Sequence, residues 1–147
     1  MAFGKCSVSV YGLGLVCAGL LLAQAGETYR ARLSAVAADA RTRPQLAGLG
    51  SATATLAGSK LSITGTFGGL VSPATTAQLH SATAAGIRGP VIADLTVSKS
   101  TNGTISGTVD LNPEQVEQLH KGGLYVQIQS EKAPEGVLWG WLLKEGK

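Results

Sequence analysis

The chain has 147 residues, of which 14% are charged and 44% are hydrophobic, and its formal net charge is +3. Charges of both signs are mixed along the chain, with no basic stripe and no acidic tail, which argues against a nucleic-acid partner. Its two cysteines, Cys6 and Cys17, both lie near the N-terminus.

The first 25 residues have the organisation of a secretory signal peptide. Lys5 supplies a positive charge, an uncharged apolar stretch follows, and Ala23-Gln24-Ala25 fits the small-x-small pattern of a cleavage site. We therefore expect residues 1–25 to be removed and residues 26–147 to form one exported, periplasmic domain. An uncleaved membrane anchor and a lipid attached to Cys17 are the alternatives.

The exported part of the chain contains no cysteine, so it has no disulfides to stabilise it. It carries 11 basic and 9 acidic residues, which leaves a net charge of +2. About 120 residues are enough to bury a hydrophobic core without disulfides. Such a domain suits a bacterial periplasm better than a disulfide-dense extracellular module.

Short segments rich in Thr, Val, Ile and Leu follow one another along this domain, and turn residues separate them. Eight strands are predicted: Thr28 to Val36, Ser51 to Leu56, Leu61 to Phe67, Gln78 to Thr83, Val91 to Val97, Thr104 to Leu111, Leu124 to Gln129 and Val137 to Leu143. Alternating polar and apolar residues give most of them one buried face, and Gly58-Ser59 joins the second and third in a hairpin. We predict an all-β fold, a single antiparallel, Greek-key-like β-sandwich.

One segment carries helix signals instead. Asn112 can cap a helix, Gln115 can complete a capping box, and Gly122 is placed to end it. The sequence therefore predicts one short helix from Pro113 to Lys121, before the penultimate strand.

No set of residues forms a recognisable catalytic or metal site. His80 and His120 are the two histidines of the chain, and without cysteine they cannot complete a zinc site of the usual ligands. No serine lies in a Gly-x-Ser-x-Gly elbow. Asp94 and Asp110 could pair across strands, but nothing in the sequence places them together. We expect no catalytic residue, metal or cofactor in this chain.

Five short motifs occur in a fixed order along the domain. They are Gln78-Leu79-His80, Ala85-Gly86-Ile87-Arg88-Gly89-Pro90-Val91, Leu111-Asn112-Pro113-Glu114-Gln115, Gly122-Gly123-Leu124-Tyr125-Val126 and Pro134-Glu135-Gly136. In this order they resemble the CHRD (chordin-repeat) domain, from Tyr29 to Leu143. The resemblance implies a compact β-sandwich that is found in exported bacterial proteins.

The chain departs from that family at positions that are commonly polar. The resemblance implies His-Ile-His on the fourth strand, Asn and His on the strand after Gly-Gly-Leu-Tyr, and Glu and Arg on the last strand. The corresponding residues here are Gln78 and His80, Gln127 and Gln129, and Val137 and Trp139. We expect the polar or metal-binding cluster of the family to be largely lost, with a residual polar site at Gln78, His80, Gln127 and Gln129.

The last predicted strand is apolar on both faces. One face carries Val137, Trp139, Trp141 and Leu143, and the other carries Leu138, Gly140 and Leu142. A sandwich buries one face of a strand, so we expect the tryptophan face to bind a partner protein or a membrane surface. In the alternative, the tryptophans belong to the core and the loop from Ala37 to Gly50 covers Leu138 and Leu142.

A small exported chain of this type also looks like the accessory subunit of the membrane-bound quinohaemoprotein alcohol dehydrogenases of acetic-acid bacteria. That resemblance implies that the cofactors belong to the larger subunits, including a cytochrome, and that this chain braces or anchors them at the membrane surface. We therefore expect a non-catalytic accessory subunit whose membrane association is indirect. A free-standing small-molecule or metal-binding module, which would use the residual polar site, is the alternative.

Overall fold

A computed structural model describes residues 26–37 and 39–145, so the predicted signal peptide lies outside the described residues. The strands are β1 Glu27–Ala35, β2 Leu49–Ala57, β3 Lys60–Gly68, β4 Ala74–Ser81, β5 Val91–Val97, β6 Gly103–Asp110, β7 Leu124–Ser130, β8 Ala133–Trp141 and β9 Leu143–Lys144. One α-helix, α1, spans Pro113–His120, and a 3-10 turn spans Arg43–Gln45. Within the described ranges, no helix has the length and hydropathy needed to span a bilayer.

Eight of these strands close into one antiparallel barrel. Their order around it is β1-β2-β3-β6-β5-β4-β7-β8, and β8 returns to β1. The short strand β9 continues β8 along β1, where Lys144 pairs with Tyr29. At this seam the backbones lie so close that a Cβ on Gly140 would collide with the carbonyl oxygen of Arg32. The seam therefore requires glycine at position 140.

The predicted sandwich is wrong, although the all-β fold and the Greek-key order β3-β6-β5-β4 are present. Strand β5 pairs with β4 as far as Leu95 and then with β6 through Thr96 and Val97. Strand β1 likewise pairs with β2 and, through Ser34 and Ala35, with β8. Because these two strands connect both halves of the sheet, the edges that a sandwich would leave open are closed.

The inward faces of the strands form one hydrophobic core. Its largest fully buried aliphatic members are Leu33, Leu61, Ile63, Leu79, Ile105, Leu119, Leu124, Ile128, Leu138 and Leu142. Smaller inward residues, such as Ala52 and Ala54, let the two halves of the barrel approach each other. Neither tryptophan belongs to this core, although Val137 of β8 does.

The predicted helix is confirmed, together with its cap. The Asn112 side chain accepts a hydrogen bond from the Gln115 backbone N–H at 2.8 Å, and the Gln115 side chain accepts one from the Asn112 N–H at 3.0 Å. Gly122 follows the helix with a φ of +77°, a backbone conformation that favours glycine. Leu119 anchors the helix, since it is buried in the barrel core.

Glu27 ties the first strand to the helix and to the last strand. Its carboxylate accepts hydrogen bonds from Lys144 Nζ at 2.6 Å and from the Tyr29 hydroxyl at 2.9 Å, and it lies 3.0 Å from His120 Nε2. The bond from Lys144 is the largest cause that lowers the pKa of Glu27 to about 2. Burial, with the neighbouring Glu27 carboxylate, raises the pKa of Tyr29 to about 12.

Replacing Glu27 with glutamine is expected to reduce how steeply the stability of the folded protein falls as the pH is lowered. A carboxylate whose pKa is lowered on folding stabilises the protein above its ordinary pKa of 4.5, and this contribution disappears as the pH falls towards about 2. Thermal unfolding between pH 6 and pH 2, followed by circular dichroism, measures it. The matched variant Glu131→Gln lies in the exposed turn after β7 and should lose stability with falling pH as steeply as the wild type does. Equal slopes in the wild type and Glu27→Gln would contradict this account.

Candidate functional site

The predicted tryptophan face and the residual polar site lie side by side on the outside of the barrel. Cross-strand pairing places Gln78, Gln127 and Trp139 in one row, and His80, Tyr125 and Trp141 in the next. We refer to this outer surface of β4, β7 and β8, formed by these six residues, as the aromatic face. From the sequence, the tryptophans were assigned to partner binding and the polar residues to a ligand site. They share one surface because the three strands are neighbours in the barrel.

The rings of the aromatic face form a continuous cluster. His80 stacks on Tyr125 with 4.7 Å between ring centroids and 16° between planes. Tyr125 also lies 5.0 Å from Trp141, which meets Trp139 edge to face at 4.7 Å. Aromatic pairs in these geometries contribute about 0.5–1.5 kcal/mol each beyond the burial of their area. The cluster is therefore a rigid platform.

The loop between β4 and β5 covers part of this platform. The Tyr125 hydroxyl accepts a hydrogen bond from Gly89 N–H at 3.0 Å and donates one to the Gly89 carbonyl at 3.2 Å. His80 Nδ1 lies 2.9 Å from the same carbonyl. A carbonyl only accepts, so Nδ1 carries a proton and donates to it. The loop can come this close because position 89 has no side chain, which would collide with the Ser81 carbonyl.

Arg88 places a positive charge at the edge of the aromatic face. Its guanidinium carbon lies 4.9 Å from the centroid of the Trp139 ring, a cation–π geometry. Because Gly89 is fixed by Tyr125, the neighbouring Arg88 is held over the tryptophan. Arg88 is therefore part of the site.

The glutamines form hydrogen bonds across the strands. Gln129 donates to the Gln78 side-chain oxygen at 2.9 Å, and Gln78 donates to Asp94 at 3.0 Å. Gln127 donates separately to the Glu135 carbonyl at 3.0 Å. The centre of the face is thus built from neutral amides, and the acidic group of this chain of bonds lies at its β5 end.

Four buried polar atoms of this region have no hydrogen-bond partner among the described residues. They are His80 Nε2, Gln127 Oε1, Gln129 Oε1 and Trp141 Nε1. Leaving such an atom unpaired costs about 1–3 kcal/mol, so a polar group that reached any of these four atoms would gain a hydrogen bond. The arrangement can form hydrogen bonds with a ligand or a partner, but it pairs no nucleophile with a base.

The remaining ionisable residues do not assemble near this face. No three His, Cys, Asp or Glu side chains come together within residues 26–37 and 39–145 in a way that could hold a metal ion. His120 contacts Glu27 on another part of the surface. Asp94 contacts Gln78 at the edge of the aromatic face.

The CHRD domain family model matches residues 29–142. The chain belongs to the CHRD-domain family. The match runs from β1 to the residue after β8 and so covers every strand of the barrel. A comparison with curated proteins found no match.

In this CHRD domain, the predicted partner-binding residues differ in exposure. Val137 is fully buried, Trp139 and Trp141 are partly exposed, and Leu143 is 54% exposed. Leu138 and Leu142 lie inside the barrel core. The alternative in which the loop from Ala37 to Gly50 covers these two leucines is therefore wrong.

Sequence reasoning missed Tyr125, Arg88 and Gly89 as parts of the site. Tyr125 alternates with Gln127 and Gln129 and could have been assigned to the same face of β7 from this period alone. Arg88-Gly89 lies in a motif that the CHRD resemblance already included. What the sequence did not show is that this loop folds back over β7.

Replacing Tyr125 with phenylalanine is expected to release the β4–β5 loop. The substitution keeps the ring but leaves Gly89 N–H without its acceptor, which should lower the free energy of unfolding by about 1–3 kcal/mol. Urea unfolding measures the decrease in the free energy of unfolding. Amide hydrogen exchange at Gly89 should also become faster. Tyr29→Phe removes a hydroxyl bonded to Glu27 and should leave exchange at Gly89 unchanged. Protection of Gly89 that survives in Tyr125→Phe would refute the proposed role of the hydroxyl.

Proposed function

We propose that this protein is a non-catalytic, exported accessory subunit that docks through its aromatic face on a larger protein and braces or anchors it. The observation that supports this proposal is the cluster of Tyr125, Trp139, Trp141 and Arg88 on the outside of a barrel whose core is already complete. Tyr, Trp and Arg are the residues that most often dominate the binding energy of protein interfaces.

Exposed apolar residues occur in the segments next to the aromatic face. Ile87 is 50% exposed in the β4–β5 loop, Val91 is 46% exposed beside His80, and Leu143 is 54% exposed after β8. Covering these side chains and the exposed parts of the tryptophans would contribute on the order of 5 kcal/mol, before the cost of association. Such a patch can hold a stable subunit in a complex.

The two histidines support a non-catalytic role, because each is engaged in a structural contact. His80 bonds to the Gly89 carbonyl, and His120 to Glu27. Neither lies in a hydrogen-bonded pair with a serine or threonine hydroxyl in the described chain. Any redox cofactor of the complex would then belong to the larger partner, and this chain would carry none.

A more specific form of the proposal is the accessory subunit of a membrane-bound quinohaemoprotein alcohol dehydrogenase, located at the periplasmic membrane surface. It rests on the resemblance in size and export signal. Recovery of a dehydrogenase with its cytochrome, haem and quinone in a stoichiometric complex would support it. Recovery of a different partner would still support the docking role, but it would contradict the assignment to an alcohol dehydrogenase.

Charged substitutions at the exposed rim of the aromatic face are expected to release the partner. We expect Leu143→Asp and Ile87→Asp each to lower recovery of the partner about tenfold or more, since a buried unpaired charge weakens an interface by roughly 2–5 kcal/mol. The measurement is a mild-detergent pull-down of the native protein from membranes, followed by mass spectrometry and assays for haem and quinone.

The chain offers a matched control for this pull-down. Leu49 is 63% exposed at the start of β2, away from the aromatic face, so Leu49→Asp adds the same charge without affecting docking. Unchanged recovery with Leu143→Asp and Ile87→Asp would show that this surface does not bind the partner. Recovery of the small protein alone from wild-type membranes would reject the accessory role.

The second candidate is a free-standing module that binds a small polar molecule or a metal. The unpaired acceptors His80 Nε2 and Gln127 Oε1 favour it. In that case His80→Ala should abolish ligand binding, whereas Leu143→Asp should leave the ligand affinity unchanged.

A further inference from the structure

A cavity of about 240 Å³ lies beside the aromatic face, between the segment that follows β1 and the start of β8. The wall residues that matter for binding are Val36, Leu46, Arg88, Lys132, Pro134 and Glu135. The proposed docking surface does not use this cavity, apart from the shared side chain of Arg88.

Two cations line the cavity, and neither forms an ion pair with a carboxylate of the described residues. Arg88 is positioned by its stacking over Trp139 at 4.9 Å. Lys132 has its backbone fixed, because its N–H donates to Ser72 Oγ at 2.9 Å. With Glu135 as the acidic residue of the lining, the cavity has a net charge of +1.

The rest of the lining is largely apolar. Val36 is 7% exposed and Ala133 is 8% exposed, and both contribute to the wall together with Leu46 and Pro134. A volume of about 240 Å³ has room for a small organic molecule. The space is smaller than the roughly 300–1,000 Å³ of pockets for drug-sized molecules.

We propose that this cavity binds a small organic carboxylate with an apolar body. The carboxylate lies between Arg88 and Lys132, and the hydrocarbon part contacts Val36, Leu46 and Pro134. Guanidinium and ammonium groups bind carboxylates through charge-assisted hydrogen bonds, which are stronger than bonds between neutral groups. Glu135 opposes a second negative charge, so the site selects monocarboxylates over dicarboxylates.

The test compares two ligands of nearly identical shape, 4-methylpentanoate and its neutral amide, 4-methylpentanamide. Titration of the full domain, followed by the NMR signals of the Ala133 and Gly136 amides, gives the affinity and the location. We expect saturable binding of the carboxylate and binding of the amide that is weaker by about tenfold. Equal binding of the two ligands, or no saturable binding of the carboxylate, would overturn the proposal.

Substitutions at the charged residues should act in opposite directions. Lys132→Gln and Arg88→Gln should each weaken binding of the carboxylate about three- to tenfold, whereas Glu135→Gln should strengthen it about two- to threefold. Lys60→Gln, at the exposed start of β3, is the matched control and should leave the affinity unchanged. Arg88→Gln also removes the contact with Trp139 and can therefore loosen the β4–β5 loop. Lys132→Gln leaves that contact intact, so it tests the cavity by itself. Affinities that do not respond to Lys132→Gln and Glu135→Gln would place the ligand elsewhere and refute the site.

Discussion

The burial of β7 on both of its faces is the constraint on which the rest of the structure depends. One face supplies the barrel core, and the other presents Tyr125, which is 1% exposed although it lies outside the barrel. The Tyr125 hydroxyl holds Gly89, and Gly89 in turn places Arg88 over Trp139. The same arginine lines the neighbouring cavity. A single phenol group thus connects the covering loop, the aromatic face and the cavity.

Because the barrel is closed, the side chains on its outside form a layer separate from the core. The inward leucines and isoleucines fill the core, so the tryptophans on the outside are not needed to complete it. Their partial burial comes instead from the folding of loops over β4, β7 and β8. Ile87 and Leu143 stay exposed, at 50% and 54%, in segments next to the aromatic face, and the proposed docking would cover them.

Much of the fold could be predicted from the sequence because its signals are local. All eight long strands were predicted from alternation and turn residues, although β4 and β8 begin four residues earlier than predicted, and α1 follows from the capping pair of Asn112 and Gln115. Closure could not be predicted in this way, since the switch of β5 to a new partner at Thr96 depends on pairing with residues elsewhere in the chain. The role of Tyr125 was missed for the same reason, because its partner Gly89 lies 36 residues earlier.

The residues that depart from the CHRD pattern bear on the proposed docking role, because they change how easily this surface loses water. Glutamines occupy positions 78, 127 and 129, where the CHRD resemblance implies His, Asn and His. Burying a neutral amide that keeps a hydrogen bond costs far less free energy than burying an ionised side chain. The remaining charges, Asp94 and Arg88, lie at opposite edges, where a partner would leave them near solvent. A surface with neutral amides at these positions is therefore easier to desolvate, as the proposed docking role requires.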